Sequence, residues 1–331
     1  MINNGNKKFK KWYSTIKQYL NNIVPNDILN EHINCITTGN LLLDKAIGGN
    51  KYLGIPKARI TEIFGNESCG KTTLALQIAK ECTLNKKNVL YIDLEYALDI
   101  DYVKSIGIDA SYFFVAHAQS GEIAFDIIEN ALNNQSFDLI VVDSVAAMLP
   151  NDEINQKFDE SNPLGAHARL MSRGIRKIQM PLSTSGTALV FINQVREKIG
   201  INFGNPETTT GGKAIKYYAS VRMEIKKTEL IKDGQNKIGI KSKITIVKNK
   251  IAKPFAFAFM NIYFGKGFDN INDILEFAVE KEVITKNGSW YYFNQNKICQ
   301  GFNQLKQYAK ENMKWFDEVA NECLEKMNFI D

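Results

Sequence analysis

The fold of this chain is decided by the stretch Arg59-Ile60-Thr61-Glu62-Ile63-Phe64-Gly65-Asn66-Glu67-Ser68-Cys69-Gly70-Lys71-Thr72-Thr73. The apolar, β-branched run from Ile60 to Phe64 predicts a strand, and good helix formers follow Lys71. Between them lies the pattern Gly-x-x-x-x-Gly-Lys-Thr, which is typical of phosphate-binding loops when a strand precedes it and a helix follows. A glycine-rich turn that binds nothing is the weaker interpretation, because every fixed position occurs in the required context.

The residue types in this loop suit a nucleotide. Gly65 and Gly70 let the backbone turn so that successive N–H groups point at phosphates, and the helix adds the positive end of its dipole. Lys71 is predicted to reach the β- and γ-phosphates of ATP, and Thr72 to offer its hydroxyl to Mg²⁺. The predicted nucleotide-binding residues of the loop are Gly65, Asn66, Glu67, Ser68, Cys69, Gly70, Lys71, Thr72 and Thr73.

Length and composition allow a large globular core with a smaller domain. The chain has 331 residues, of which 44% are hydrophobic and 23% charged. It shows neither a secretory signal nor an apolar run of membrane-spanning length, so we expect a cytoplasmic protein without a membrane partner. The five cysteines are scattered without a Cys-x-x-Cys pair, which favours reduced thiols over a zinc site. A net charge of +5 permits nucleic-acid binding without demonstrating it.

Apolar strands alternate with helical patterns along the central part of the chain. Strands are predicted at residues 60–64, 89–95, 139–144 and 188–194, and helices at 120–132 and 169–180. This alternation indicates a parallel sheet covered by helices on both faces. Polar residues stand where the strands end, and ligands of such sheets bind at the carboxyl edge of the strands. These residues are Asp93, Glu95, Asp143, Ser144, Asn193 and Gln194.

Three of these strand-end residues receive roles at the nucleotide from their chemistry. Asp143 fits the acid that holds the Mg²⁺ shell. Glu95 is predicted to orient and deprotonate the attacking water. Gln194 is predicted to sense the γ-phosphate, because a neutral amide can bond it without a buried charge. A single acid after a strand can also be a helix cap or a turn residue, but their grouping at one edge weakens that alternative.

A longer run identifies a family resemblance. The segment Phe191-Ile192-Asn193-Gln194-Val195-Arg196-Glu197-Lys198-Ile199-Gly200-Ile201-Asn202-Phe203-Gly204-Asn205-Pro206-Glu207-Thr208-Thr209-Thr210-Gly211-Gly212 resembles the signature and second DNA loop of the bacterial RecA recombinase family. Residues 91–99, 141–147 and 247–255 match as well, and the similarity extends from about Ile36 to about Gly301. The resemblance implies an α/β protein with a RecA-type P-loop ATPase core and a mostly parallel central sheet.

The same resemblance divides the chain. It implies an N-terminal helical arm over residues 1–35, an ATPase core over 36–267 and a small C-terminal α/β domain over 268–331. Apolar residues at helical spacing predict a helix over residues 7–24, whose basic residues form either a solvated face or an arm that docks on a neighbouring subunit. The last part is predicted to contain a helix, a strand at 289–293 and a terminal helix. Lys286, Lys297 and Lys306 there are candidate contacts to duplex DNA, or simply a solvated surface.

Further residue roles follow from the resemblance. Asp99 and Tyr102 are implied to contact adenine, and Lys248 and Lys250 to reach the ATP of a neighbouring subunit. Tyr217 is placed near a subunit interface, with a core position as the open alternative. Two DNA loops are implied, at about 153–165 and 195–212, with Leu164 and Ile199 as apolar wedges between bases. The implied DNA contacts are Leu164, Arg169, Ser172, Arg176, Arg196, Lys198, Ile199, Gly200, Thr208, Gly211 and Gly212. Of these, Gly211 and Gly212 are expected to start the helix after the second loop and to present N–H groups to phosphates.

The resulting functional hypothesis is an ATP- and Mg²⁺-dependent recombinase. It would form helical filaments of its own copies on single-stranded DNA and pair that strand with double-stranded DNA. The resemblance also implies a LexA-type repressor as a partner whose self-cleavage the filament stimulates. Two alternatives stay open, a hexameric helicase-like motor on the same core and a filament that acts mainly as a scaffold for repressor cleavage.

Overall fold

A computed structural model of the chain describes residues 33–156, 165–197 and 207–327, and at positions 197, 207 and 208 it describes the backbone alone. The described residues from Asn34 onward form one compact unit. The predicted helix at residues 7–24 and most of the first DNA loop lie outside the described residues. Within the described ranges, no helix is both long enough and apolar enough to cross a bilayer.

One large sheet forms the centre of the fold. Its strands are β3 (Ile60–Gly65), β4 (Val89–Asp93), β5 (Phe113–His117), β6 (Leu139–Asp143), β7 (Ala188–Glu197), β8 (Glu207–Thr209), β9 (Val221–Asp233), β10 (Asn236–Asn249), β11 (Phe257–Tyr263) and β12 (Gly267–Phe268). Their spatial order is β12-β11-β10-β9-β3-β7-β6-β4-β5, with β8 paired to β7. Neighbours from β9 through β5 are parallel. The predicted mostly parallel α/β sheet is therefore confirmed.

The central strands are buried on both faces, as near-continuous apolar runs predict. Successive residues of a strand point to opposite faces. Tyr91 and Val141 accordingly pack in one hydrophobic cluster, whereas Leu90 and Ile140 pack in the other. Helix α2 (Lys71–Leu84) covers the first face, and α4 (Gly121–Asn133) and α6 (Ala166–Ser185) cover the second. The shorter helices of this part are α1 (Leu41–Gly48), α3 (Ile100–Ile106), α5 (Asn151–Ile154) and α7 (Ala214–Tyr218).

The sequence analysis did not predict the long antiparallel hairpin made by β9 and β10. The two strands pair from Asn249 opposite Val221 to Asn236 opposite Asp233, with register shifts along the way. The chain reverses between them at Gly234, whose φ of 59° lies in the left-handed region that glycine tolerates. With β11 and β12, this hairpin extends the parallel sheet by an antiparallel wing.

The C-terminal part is richer than predicted. After α8 (Asn270–Glu280) come three short antiparallel strands, and then two helices in place of the single terminal helix. The strands are β13 (Thr285–Asn287), β14 (Trp290–Phe293) and β15 (Asn296–Gln300), and the helices are α9 (Phe302–Glu311) and α10 (Met313–Lys326). Buried residues of α8, α9 and α10 join the hydrophobic cluster that also contains α2. A separate short pair, β1 (Cys35–Ile36) and β2 (Ile55–Pro56), precedes the main sheet.

Candidate nucleotide-binding and DNA-binding site

The predicted strand ends meet at one edge of the sheet, which we call the carboxyl edge. In the parallel register, Gly65 of β3 lies opposite Gln194 of β7, and Asp93 of β4 lies opposite Asp143 of β6. Neighbouring parallel strands carry their polar end residues to the same side. The edge therefore brings together the loop before α2, the acids after β4 and β6, and the amides of β7.

The loop from Gly65 to Lys71 requires glycine at two positions, 65 and 70. A Cβ atom at Gly65 would lie 2.2 Å from the carbonyl oxygen of Ile225, and one at Gly70 would lie 2.3 Å from Cδ1 of Ile262. Gly70 also has a φ of 99°, which side chains disfavour. The predicted requirement for these glycines thus has a steric cause at the site itself.

This loop fits the phosphates of a nucleotide. Helix α2 starts at Lys71, and among the described residues no side chain caps its N-terminus, so its first N–H groups face the loop. Nζ of Lys71 donates to the carbonyl oxygen of Asn66 at 2.7 Å, a bond that a phosphate oxygen can replace. Asn66, Glu67 and Ser68 are exposed. Cys69 points inward instead, and its burial raises the pKa of its thiol.

Asp143, a predicted Mg²⁺ ligand, is hydrogen-bonded to Thr72, the other predicted ligand. Its Oδ2 accepts hydrogen bonds from the Thr72 hydroxyl at 3.0 Å and from the Tyr91 hydroxyl at 2.6 Å. Burial raises the pKa of Asp143, while these two bonds act in the opposite direction. Among the described residues there is no group of three His, Cys, Asp or Glu side chains that could hold a metal alone. The Asp143 carboxylate and the Thr72 hydroxyl are oxygen donors, the kind of ligand that Mg²⁺ takes.

The sequence analysis missed Tyr91. Burial first, and the neighbouring Asp143 second, raise its pKa well above the usual value, so the phenol remains a hydrogen-bond donor. The available signal was a tyrosine in the middle of an otherwise apolar strand, since a buried tyrosine hydroxyl needs a partner.

Glu95 lies between the two neighbouring strand ends. Its Oε1 accepts from the hydroxyl of Ser144 at 2.5 Å and from Nε2 of Gln194 at 3.3 Å. Strand β4 ends at Asp93, two residues earlier than predicted, and Asp93 shapes the turn that follows. Its carboxylate accepts from the backbone N–H groups of Glu95, Ala97 and Leu98. The predicted base, Glu95, is thus in direct contact both with Ser144 and with the predicted sensor, Gln194.

The predicted adenine contacts lie beside α2. The Tyr102 hydroxyl is 2.9 Å from Oγ1 of Thr73. Asp99 caps α3, where its Oδ1 accepts from the N–H groups of Asp101 at 2.9 Å and of Tyr102 at 3.2 Å. Asp99 is therefore the N-cap residue of α3. Its contact with adenine stays a prediction.

The second predicted DNA loop leaves and re-enters the fold beside Gln194. Strand β7 continues through Arg196 to Glu197, and Thr209 of β8 pairs with Val195, so both ends of the loop are strand rather than coil. Arg196 is exposed. Lys198, Ile199 and Gly200 lie outside the described residues, and Thr208 is described by its backbone alone.

The two glycines that close this loop were expected to start a helix, and that expectation is wrong. Gly211 and Gly212 have φ values of 90° and 71° and form the turn before α7, which begins at Ala214 with Lys213 as its N-cap. Left-handed backbone cannot continue into a right-handed helix, so the helix starts two residues later.

Helix α6 carries the predicted contacts of the first DNA loop. Arg169 and Arg176 are exposed, and the spacing of Arg169, Ser172 and Arg176 puts them on one helix face. Nε of Arg176 donates to the carbonyl oxygen of Ser172 at 3.0 Å. These side chains line a groove of about 610 Å³. Leu164, the predicted wedge, lies outside the described residues.

The residues that are predicted to contact a neighbouring subunit lie near the start of β9 and the end of β10. Nζ of Lys248 donates to the carbonyl oxygens of Lys216 at 2.6 Å and Tyr217 at 2.9 Å. Burial, and then the charges of Lys250 and Arg222, lower the pKa of Lys248. Tyr217 is 67% exposed, so the alternative that placed it in the core is wrong.

The three candidate lysines of the C-terminal part differ in their surroundings. Lys306 is paired with Asp269 at 2.7 Å. Nζ of Lys297 lies 3.3 Å from the ring centre of Trp290, and that of Lys286 lies 5.8 Å from the ring centre of Tyr291. Nζ of Lys306 also lies 5.8 Å from the ring centre of Tyr263, so all three ammonium groups lie over aromatic rings, and the charge of Lys306 is in addition balanced by Asp269.

A sheet of this topology, with a glycine-bounded loop before α2 and acids on the neighbouring strand ends, defines an α/β protein of the P-loop nucleotide-binding class. The family model for the RecA N-terminal domain matches residues 16–269, and that for the RecA C-terminal domain matches residues 272–328.

Three relatives named "Protein RecA" show the extent of the similarity. The protein of Ureaplasma parvum serovar 3 is 52% identical over 305 residues, which are 92% of this chain and 90% of the relative. The Malacoplasma penetrans protein is 49% identical over 284 residues, 86% and 85% of the two chains. The Staphylococcus aureus JH9 protein is 39% identical over 305 residues, 92% and 87%. The chain belongs to the RecA family, the bacterial recombinases that bind ATP and DNA.

Proposed function

We propose that this chain hydrolyses ATP at the carboxyl edge and uses the bound triphosphate to control its hold on single-stranded DNA. The observation that carries the proposal is the position of Glu95, whose Oε1 meets both Ser144 and Gln194, while the second DNA loop begins directly after Gln194. A phosphate-sensing side chain at the root of a DNA-binding loop is a physical link between the two ligands.

Separate groups of residues would bind the phosphates, the adenine, the metal ion and the attacking water. The loop N–H groups and Lys71 would bind the phosphates, and Asp99 and Tyr102 the adenine. Thr72 and Asp143 would hold Mg²⁺, which when bound neutralises charge on the phosphate oxygens. Glu95 would orient a water and accept its proton, with Ser144 holding the carboxylate in place. Gln194 would bond the γ-phosphate, and Lys248 and Lys250 would reach the nucleotide of a neighbouring copy.

The DNA side of the proposal rests on exposed basic groups of α6 and β7. Arg169, Ser172, Arg176 and Arg196 would contact the strand backbone, with Gly211 and Gly212 offering N–H groups. Lys198, Ile199, Gly200, Thr208 and Leu164 would complete the two loops. Base pairing with a homologous duplex, rather than base contacts of the protein, would supply sequence specificity.

Assembly completes the proposal. An arm over residues 1–35 would join copies of the core (36–267) into a helical filament, and the part over 268–331 would gather double-stranded DNA. The filament would also stimulate self-cleavage of a LexA-type repressor. The helicase-like alternative predicts closed rings, so negative-stain microscopy with single-stranded DNA and a slowly hydrolysed ATP analogue separates the two.

The decisive experiment measures the Kd for a single-stranded oligonucleotide with a slowly hydrolysed ATP analogue, with ADP and without nucleotide, at one salt concentration. We expect tight binding with the analogue alone, and ATP hydrolysis that rises when the oligonucleotide is added. Lys71→Ala is the control and should bind DNA equally under all three conditions. Equal affinities for the unmodified protein would overturn the proposal.

A further inference from the structure

A fully buried carboxylate outside the nucleotide site connects three strands of the sheet. Glu62 of β3 is 0% exposed. Its Oε2 accepts from Nε of Arg222 in β9 at 2.5 Å, and its Oε1 accepts from Nδ2 of Asn193 in β7 at 2.8 Å. β9 and β7 are the two neighbours of β3, so the carboxylate bridges both sides of the strand that leads into the phosphate-binding loop.

Asn193 connects this carboxylate to the second DNA loop. Its Nδ2 also donates to the carbonyl oxygen of Thr210 at 2.9 Å, and its Oδ1 accepts from the N–H of Gln194 at 2.9 Å. The side-chain amide therefore holds both ends of the loop stem, one of them at the backbone of Gln194, the predicted γ-phosphate sensor. All three polar contacts use one orientation of this amide.

Glu62 is the side chain that reinforces that orientation. A carboxylate that is paired with arginine accepts hydrogen bonds, so the NH₂ group of Asn193 faces Glu62 as well as the carbonyl oxygen of Thr210, and the amide oxygen is left to face the N–H of Gln194. A buried carboxylate needs compensation, and Arg222 provides the charge. Its guanidinium is itself held over the ring of Phe64, 4.6 Å from the ring centre.

Arg222 is connected through Lys248 to the segment that carries the exposed Tyr217. Lys248 of β10 is the Cα partner of Arg222, and its ammonium group binds the carbonyl oxygens of Lys216 and Tyr217. The path from the loop stem through Glu62 and Arg222 therefore ends at the segment proposed to meet a neighbouring copy.

We propose that Glu62 is a positioning residue that makes the DNA loop respond to the nucleotide. By fixing the Asn193 amide, it ties any displacement of Gln194 to the loop stem at Thr210, and Arg222 makes this buried tie possible. The inference rests on the proposed function, because it assigns the residue that transmits the ATP signal.

The test compares the ratio of oligonucleotide Kd values with ADP and with the slowly hydrolysed ATP analogue. For the unmodified protein we expect a ratio of about 5–150, the usual range of coupling between two sites. Glu62→Gln keeps the shape but can present a donor to Asn193 or Arg222, and the ratio should fall to about one, which means no coupling. Its affinity for the analogue without DNA should equal that of the unmodified protein.

A matched control is Glu276→Gln, which neutralises a carboxylate paired to Lys241 at 2.8 Å in the antiparallel wing. Its ratio should equal that of the unmodified protein. In Arg222→Met the Kd ratio should fall to about one, as it does in Glu62→Gln. The ratio of the double variant should fall no further than that of either single variant. In Arg222→Lys the ratio should stay above one but below that of the unmodified protein.

Asn193→Ser provides a second test if Glu62→Gln fails to fold. It leaves the ion pair between Glu62 and Arg222 intact and removes the hydrogen bond from the Asn193 side-chain amide to the carbonyl oxygen of Thr210. It too should lose the ratio. A folded Glu62→Gln or Asn193→Ser protein with an unchanged ratio would overturn the inference alone, as would an equal loss in Glu276→Gln. A ratio of one in the unmodified protein would overturn the proposed function, and this inference with it.

Discussion

Two regions of the molecule bury an aspartate without a lysine or arginine as its hydrogen-bond partner, and they do so for different purposes. At the carboxyl edge, Asp143 is 9% exposed, and burial raises its pKa. At a second region, which we call the joint, Asp273 of α8 is 3% exposed, and burial raises its pKa well above the usual range. By burial and pKa alone, the joint looks like the better functional site.

The hydrogen-bond donors distinguish the two regions. At the joint, Asp273 accepts from Nδ2 of Asn40 at 2.6 Å and from the backbone and side-chain N–H groups of Asn261 at 2.9 and 2.8 Å. These donors are buried and belong to the start of α1 and to β11, so the bonds fasten α8 to the core. At the edge, one donor to Asp143 is the hydroxyl of Thr72, a half-buried residue that directly follows the partly exposed loop. A buried acid indicates a ligand site when its donors also face a place for the ligand.

The largest expected effect tests the edge. Glu95→Gln should lower ATP hydrolysis by about 10²–10⁴, the usual contribution of a general base, while ATP and DNA binding persist. Steady-state hydrolysis with saturating single-stranded DNA, together with nucleotide titrations, measures both. Glu280→Gln, at the end of α8, is the control and should hydrolyse ATP normally. Fast hydrolysis by Glu95→Gln would remove Glu95 as the base and leave the edge without its proposed chemistry.

The next effect concerns Asp44 of α1, whose backbone N–H donates to the carbonyl oxygen of Asn40 at the joint and whose carboxylate accepts hydrogen bonds from Thr37 and Thr38. Burial raises its pKa from 3.8 to about 6. The folded state therefore binds the proton more tightly, and stability from this group is present below pH 4 and is lost as the pH rises to 6. The shift corresponds to about 3 kcal/mol.

Denaturant unfolding of Asp44→Asn between pH 4 and pH 7 checks this sign. The unmodified protein should lose up to about 3 kcal/mol more across that range than the variant does. Asp109→Asn, which changes an exposed aspartate, should follow the unmodified protein. Parallel curves for Asp44→Asn and the unmodified protein would show that Asp44 keeps an ordinary pKa at the joint.

A smaller effect tests the joint as a structural fastening. Asp273→Ala leaves the amide groups of Asn40 and Asn261 without their acceptor, which should lower the free energy of unfolding by about 1–3 kcal/mol. Nucleotide affinity should not change, because the joint is proposed to bind nothing. Chemical denaturation and nucleotide titration measure the two quantities. A lost affinity with intact stability would instead make the joint a ligand site.

The carboxyl edge was easier to predict from the sequence than the joint, because short local sequence patterns specify it. The Gly65–Thr72 spacing, the apolar strands and the acids directly after them can each be recognised within a few residues. The partners of the buried acids cannot, since Tyr91 and Asp143 are separated by 52 residues, Glu62 and Asn193 by 131, and Asn40 and Asp273 by 233. Such pairs exist only once the sheet has brought its strands together.

The antiparallel wing was missed for another reason. The start of β9 alternates buried and half-buried residues from Val221 to Ile225, which is the pattern of a half-covered strand. Beyond Lys226 the strand is mostly exposed and rich in charge, and its two apolar residues, Leu230 and Ile231, are adjacent, so no alternating pattern marks its length. Cross-strand hydrogen bonds to β10, rather than burial, sustain it there.

The smallest expected effect sharpens what the edge requires. Cys69 is the buried side chain of the phosphate-binding loop, and its thiol lies beside the backbone N–H of Lys71. A serine hydroxyl can accept from the same N–H, so Cys69→Ser should change nucleotide affinity and hydrolysis by less than about twofold and stability by less than about 1 kcal/mol. Titration, hydrolysis and unfolding measurements check this. A tenfold loss would mean that the inward thiol, and not the backbone of the loop alone, sets the shape of the cradle.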